Sequence, residues 1–189
     1  MLNPADVQPE RRIASEDRPQ RFVVSGGYTL PFGRGKMLLS HPRVWQNALI
    51  SNWKVGGIMT IQSGAPLSWG NVIYYGGNLN LDPRNTSAAF DKTRFNTVSS
   101  QQLANNVRTF HSAFSNLRAD GPMNVDFSLS KENAIREKYR LQFRIEAFNA
   151  FNHALFGSPT LTPTSASFGQ ITSQNNIPRF IQMSLRLVW

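Results

Sequence analysis

Tyr139-Arg140-Leu141-Gln142-Phe143-Arg144-Ile145-Glu146-Ala147 is the stretch whose reading decides the fold. Tyr139, Leu141, Phe143, Ile145 and Ala147 fall on one side of a period-two pattern; Arg140, Gln142, Arg144 and Glu146 fall on the other. Successive side chains of a strand point to opposite faces, so this is a strand with one apolar and one polar face. A helix needs apolar residues three and four apart. Wound as a helix, this stretch would scatter Arg and Glu all round.

The same alternation recurs on both sides of it. At the end of the chain Ile181, Met183, Leu185, Leu187 and Trp189 are separated by Gln182, Ser184, Arg186 and Val188. Met123, Val125, Phe127 and Leu129 alternate with Asn124, Asp126, Ser128 and Ser130. Trp53, Val55, Gly57, Met59 and Ile61 follow the rule more loosely against Lys54, Thr60 and Gln62, as do Phe22, Val24, Tyr28 and Leu30 against Arg21, Ser25 and Thr29. The pattern predicts an all-β, antiparallel protein with five long strands near 21–30, 49–62, 123–131, 138–148 and 180–189. Strands of about ten residues cross a bilayer when tilted. A soluble antiparallel sheet with one face on a core gives the same alternation, so alternation alone leaves both readings open.

Connections separate the two. A short polar turn is expected over 131–138, and a moderate connection over 31–48 opens with Pro31-Phe32-Gly33-Arg34-Gly35. Residues 63–121 and 149–178 are long connections, unusual inside compact soluble domains. Alternating short turns and long loops suit an up-and-down transmembrane barrel with long extracellular loops. On that topology the strands near 21–30, 123–131 and 180–189 run inward, and the other two run outward. Tyr28, Trp53, Tyr139 and Trp189 then all fall at the periplasmic end of their strands, on the apolar face. Rings with a polar tip gather at membrane interfaces, so these four are the expected aromatic girdle.

Composition agrees. Hydrophobic residues make up 40% and charged residues only 16%, a mix suited to strands and polar loops. No apolar run is long enough for a transmembrane helix. The net charge of +9 raises anionic partners, but Arg11-Arg12 is the only adjacent basic pair, which argues against nucleic acid. The absence of cysteine excludes thiol nucleophiles, disulfides and zinc–thiolate sites.

Several stretches, taken in order, resemble TonB-dependent receptors of the outer membrane. They are Arg21-Phe22-Val23-Val24-Ser25-Gly26, Tyr28-Thr29-Leu30-Pro31-Phe32-Gly33, and Gly57-Ile58-Met59-Thr60-Ile61-Gln62-Ser63-Gly64-Ala65-Pro66-Leu67. Val125-Asp126-Phe127-Ser128-Leu129-Ser130-Lys131, Phe143-Arg144-Ile145-Glu146-Ala147-Phe148-Asn149-Ala150-Phe151-Asn152-His153 and Phe168-Gly169-Gln170-Ile171-Thr172 continue the series, which the closing strand completes. The similarity is closest to the subfamily whose full-length members begin with a carboxypeptidase-regulatory-like domain, a domain absent here. The resemblance implies a plugged barrel of about 22 strands that imports a scarce solute. Signal sequence, plug, TonB-contacting segment and most strands are missing from these residues. The expectation is therefore residues 1–19 as a partial extracellular loop and 20–189 as the C-terminal barrel segment, not competent for transport alone. The expected partners are outer-membrane lipid, the barrel-assembly machinery, and the plug and strands of a full receptor, with the solute unknown. The alternative is a small soluble β-sheet binding or adhesion domain.

Candidate sites follow from these expectations. The resemblance implies that the alternating Met183, Leu185, Leu187 and Trp189 are read by the assembly machinery; an ordinary hydrophobic end strand is the plainer reading. Arg140, Arg144, Glu146 and Arg186 are expected to face the lumen, where they contact a plug or an anionic solute or simply form a solvated wall. Trp69, Tyr74 and Tyr75 mark the 63–121 connection as a possible ligand loop, with a mobile lid or disorder as alternatives. No enzyme, cofactor or metal is expected. His41, His111 and His153 lack metal-ligand spacing, and Gly33-Arg34-Gly35-Lys36 reads as a turn, because Met37 stands where a phosphate loop needs Ser or Thr.

Overall fold

The computed structural model of the chain describes residues 12–102, 113–136 and 138–189. Among the described residues there are seven strands: β1 (Arg21–Thr29), β2 (Trp53–Gln62), β3 (Pro66–Ser68), β4 (Ala113–Arg118), β5 (Met123–Arg136), β6 (Tyr139–Phe148) and β7 (Phe180–Val188). One α-helix, α1 (Val44–Ile50), lies between β1 and β2. The described residues divide into two compact units.

The first unit is the sheet, drawn from Phe22–Ile61, Met123–His153 and Ile177–Trp189. Its strand order is β1-β2-β5-β6-β7, so each long strand lies beside its neighbour in the chain. The pairs β2–β5, β5–β6 and β6–β7 are antiparallel. Register runs Trp53↔Lys131↔Phe143↔Leu185 and Val55↔Leu129↔Ile145↔Met183, so apolar positions of four strands share one face. The other face carries Lys54↔Ser130↔Arg144↔Ser184 and Gly56↔Ser128↔Glu146↔Gln182. A slip of one residue anywhere would mix the two sets.

All five expected strands form, with three changes of boundary. The polar turn expected at 131–138 is shorter than that, because Lys131–Arg136 extend β5 and β6 begins at Tyr139. Asn133↔Leu141, Ala134↔Arg140 and Arg136↔Tyr139 continue the ladder, and an irregularity between Ala134 and Arg136 absorbs the change of register. Charged and amide side chains on either side of Ala134 and Ile135 disguise a strand whose backbone bonds are nonetheless made. The strand expected from residue 49 begins at Trp53, because the residues before it are helical. The third change is in the moderate connection expected over 31–48, where a helix forms. It contains most of α1, where Gln46 Oε1 accepts the Arg43 N–H at 2.9 Å and Ser51 Oγ donates to the Asn47 carbonyl at 2.6 Å. Gly33-Arg34-Gly35-Lys36 is the expected turn, with φ of 117° at Gly33 and 70° at Gly35. A Cβ at Gly33 would also stand 2.6 Å from the Ser51 Cβ, so only glycine fits.

The second unit comprises the described residues within Met1–Arg21, Gln62–Pro122 and Ala154–Asn176. Here the two long connections are folded rather than loose. Strands β3 and β4 pair antiparallel, with Pro66 opposite Arg118. Ahead of that pair, Gly64 packs so closely on Ala119 that an added Cβ would stand 1.8 Å from its carbonyl oxygen. Trp69, Phe90, Phe95 and Phe168 form an aromatic core with Leu67, Val72, Leu79 and Ile171. Trp69 stacks on Phe95 with ring centres 6.1 Å apart, and Phe168 meets Phe90 edge-on at 5.2 Å. Asp120, with its side chain only 8% exposed, ties this core's strands of chain together. It accepts from the Arg84 guanidinium at 2.9 Å and from the Phe156 N–H at 3.0 Å.

Candidate functional site

The sheet's two faces and the folded connections are the places where function can reside. On the apolar face the side chains are turned outward: Met183 is 71% exposed, Leu185 68% and Trp189 86%. So large an exposed apolar surface needs a covering. Among the described residues, strand β7, which carries Met183, Leu185 and Leu187, pairs with β6 alone and leaves its other edge open. Trp189 directly follows β7.

The opposite face is charged and partly paired with itself. Arg144 bonds Glu146 at 2.6 Å, Gln182 also bonds Glu146 at 2.6 Å, and Gln142 bonds Glu132 at 2.9 Å. Arg140 approaches Glu132 at 3.5 Å. Lys54 and Arg186 have no acidic partner among the described residues. Both line an open hollow of about 340 Å³, together with Arg144, Glu132, Gln142 and Ser184. Arg140, Arg144, Glu146 and Arg186 thus lie on one face, and Lys54 joins them. The sequence pattern had put Lys54 on this side, but only the register shows it level with Ser184, two residues from Arg186 on β7.

The four aromatics expected to form a girdle sit at one end of the sheet. Tyr139 and Trp189 each lie one residue beyond the last β6–β7 pair, Arg140↔Val188. Leu30 N–H donates to the Trp53 carbonyl at 2.8 Å, which brings the end of β1, and Tyr28 with it, to the start of β2. Trp53 differs from the others in being half-buried. Its ring meets Phe143 edge-on at 6.2 Å and carries the Lys131 ammonium 5.2 Å from its centre.

The ligand-loop expectation needs a correction at Trp69. That side chain is 1% exposed and sits in the aromatic core, so it holds the unit together and is closed to a ligand. Tyr74 packs against the same core and its hydroxyl donates to the Gly77 carbonyl. Tyr75 alone of the three is open, at 63% exposure. The described residues of 63–121 supply most of that packed core. Among the described residues no three His, Asp or Glu side chains come together as a metal site. His111 lies outside the described residues.

A meander of antiparallel strands long enough to cross a bilayer, apolar and exposed on one face and charged on the other, is the wall of a transmembrane β-barrel. The chain belongs to the outer membrane beta barrel domain family, whose model matches residues 1–182. It is an outer-membrane protein, and the soluble-domain alternative falls away. No curated protein and no solved structure matches the chain.

Proposed function

We propose that the five long strands form part of the wall of a TonB-dependent receptor that takes up a scarce solute across the outer membrane. The observation that carries this reading is the folding of both long connections into one unit with its own aromatic core. A bare channel needs no such unit, whereas a receptor needs a shaped surface for its solute. The motif series of the sequence points the same way.

The faces then take definite roles. The face of Val55, Leu129, Ile145 and Met183 meets lipid, and the face of Arg140, Arg144, Glu146 and Arg186 meets the lumen. Charges on the lipid side would cost ~2–4 kcal/mol each at mid-membrane. The girdle fits this orientation. The Trp53 row crosses β7 at Leu185, four residues short of Trp189. Four residues rise about 13 Å, and three strand spacings span about 14 Å. Their ratio gives an angle of roughly 40°, the tilt of strands in outer-membrane barrels. Four residues along the chain can therefore be one membrane level. The open edge of β7, with its row of exposed apolar side chains, suits strand addition by the assembly machinery. Among the described residues β1 and β7 have open edges, so on this reading further strands close the barrel, since outer-membrane barrels have at least about eight.

The test is uptake by cells that carry or lack the gene, offered ferric chelates, cobalamin, oligosaccharides and peptides in turn. One class should accumulate only in cells with the gene, and a proton uncoupler should abolish it. Entry of small hydrophilic solutes that survives the uncoupler would mark a passive pore and overturn the receptor reading.

A further inference from the structure

Residues 31–53 contain Arg34, Lys36, Arg43 and His41 and not one Asp or Glu. They include α1, whose polarity is inverted for a protein surface. Val44, Trp45, Ala48 and Leu49 point outward, with Val44 78%, Trp45 60% and Leu49 63% exposed. Gln46 and Asn47 turn inward, and Asn47 Oδ1 accepts the Arg34 N–H at 2.8 Å. The loop before the helix adds Met37 at 85% and Leu39 at 62% exposure. Five large apolar side chains in so short a stretch exceed scattered surface residues and form a patch.

The patch lies on a definite side of the sheet. The last carbonyls of a helix have no partner within it. Here three side chains supply partners. Trp53 Nε1 donates to the Leu49 carbonyl at 2.9 Å, Asn133 Nδ2 to the Ala48 carbonyl at 2.9 Å, and the Lys131 ammonium to the Ser51 carbonyl. Trp53 and Lys131 are direct partners in the β2–β5 ladder, and Asn133 stands two residues further along β5. All three belong to the face of Leu129, Ile145 and Met183. Two polar residues that would be misplaced on a lipid-facing wall are thus used to hold the helix against it. A cation beside the negative end of a helix is also favourable.

We propose that α1 and residues 36–43 are an interfacial anchor. It lies outside the barrel wall among the phospholipid headgroups of the periplasmic leaflet. This rests on the reading above that the Met183 face meets lipid. The apolar side chains of the patch continue that face, which is already committed to the membrane. Its cations, unopposed by any acid in the segment, suit anionic phospholipid. Inward-turned Gln46 and Asn47 are spent on the backbone of the loop, which leaves the outer face free to enter the acyl boundary.

The chain has no cysteine, so single-cysteine variants report cleanly. L49C, M183C and S184C carry an environment-sensitive fluorophore in the full chain, placed in vesicles of phosphatidylethanolamine and phosphatidylglycerol. Lipids brominated near the headgroup or deep in the chain serve as quenchers, with iodide in the water. The expected result is shallow-lipid quenching at 49, deep-lipid quenching at 183 and iodide quenching at 184. Replacing Arg34, Lys36 and Arg43 together by Gln should reduce the shallow quenching at 49 at low salt and leave 183 unchanged. Iodide quenching at 49 with lipid quenching at 183 would overturn the anchor while the wall reading stands. Shielding of 49 from both quenchers, with 183 still in lipid, would mean a protein partner covers the helix and would equally overturn it. Loss of lipid quenching at 183 would overturn the wall reading and the anchor with it.

Discussion

The aromatic unit and the sheet use the same side chains for opposite purposes. In the unit of Gln62–Pro122 and Ala154–Asn176, Trp69, Phe90, Phe95 and Phe168 are all at most 3% exposed. In the sheet, Phe180, Ile181, Met183 and Leu185 are all more than half exposed. Residues of the first kind follow no regular spacing in the chain; those of the sheet keep mainly to every second position. Irregular spacing lets loops converge on a core that closes on itself. A strict two-residue repeat presents one face in a row, which only another flat surface or a bilayer can cover. The difference teaches that hydrophobic content alone says little about burial, whereas its period says what will do the burying.

Truncating a large side chain in each region breaks the comparison most sharply. Trp69→Ala opens a cavity in a closed core and should destabilise that unit by ~3–5 kcal/mol. Leu185→Ala removes a side chain from a surface where lipid refills the space, and its cost should be well under half of that. Denaturant unfolding of both variants in the same lipid, followed by loss of the folded far-ultraviolet signal, makes the comparison. Equal losses would mean that Leu185 is buried against protein rather than lipid.

A charge of opposite placement sharpens the same contrast within the sheet. Ile145 sits in the middle of the apolar face, between Leu129 and Met183. Ile145→Arg should cost ~2–4 kcal/mol in a bilayer. Its chain neighbour Arg144 already carries that charge on the other face, bonded to Glu146. Ser128→Arg, on the polar face, should cost little. Folding yields into vesicles of the two variants would read the difference directly, and similar yields would refute the assignment of faces.

Most of the sheet was legible in the sequence, for a physical reason. A strand that must present lipid on one side and water on the other leaves its period in every second residue, as at Tyr139–Ala147. The extension of β5 to Arg136 was not legible, because Lys131–Arg136 have left the apolar pattern while their backbone still pairs. Helix α1 was hidden for the reverse reason: its outward face is apolar, so it mimics the start of the strand that follows. The aromatic core was out of reach because Trp69 and Phe168 enter it from two different connections, far apart in the chain, and no local pattern links them. Of the site residues, the polar face was legible from alternation, whereas the burial of Trp69 had no local signal.

The smallest expected effect concerns a partly exposed acid in the aromatic unit, at Asp91. Its carboxylate accepts from the Thr93 hydroxyl at 2.6 Å and the Thr93 N–H at 3.0 Å, and from Arg94 Nε at 3.1 Å. These bonds hold its pKa below the ordinary aspartate value, the Thr93 hydroxyl contributing most, then the Thr93 N–H, with Arg94 a lesser cause. A depressed carboxyl contributes stability that is fully present above the unfolded value, about 3.9, and is lost as pH falls through the folded one. The window therefore lies on the acid side of that value, where the 3₁₀ turn Lys92–Arg94 that Asp91 caps should loosen first. Following the Asp91 carboxyl by carbon-13 resonance through an acid titration gives its pKa in the folded chain. Thr93→Val should raise it more than Arg94→Gln does. Charge attraction extends through solvent and is weakened by salt, whereas a hydroxyl held in hydrogen-bond geometry acts only on the ionised carboxylate beside it and ignores salt. A larger rise from Arg94→Gln, sensitive to ionic strength, would show that charge and not the local bonds sets this acid, and that the turn is held more loosely than the core it borders.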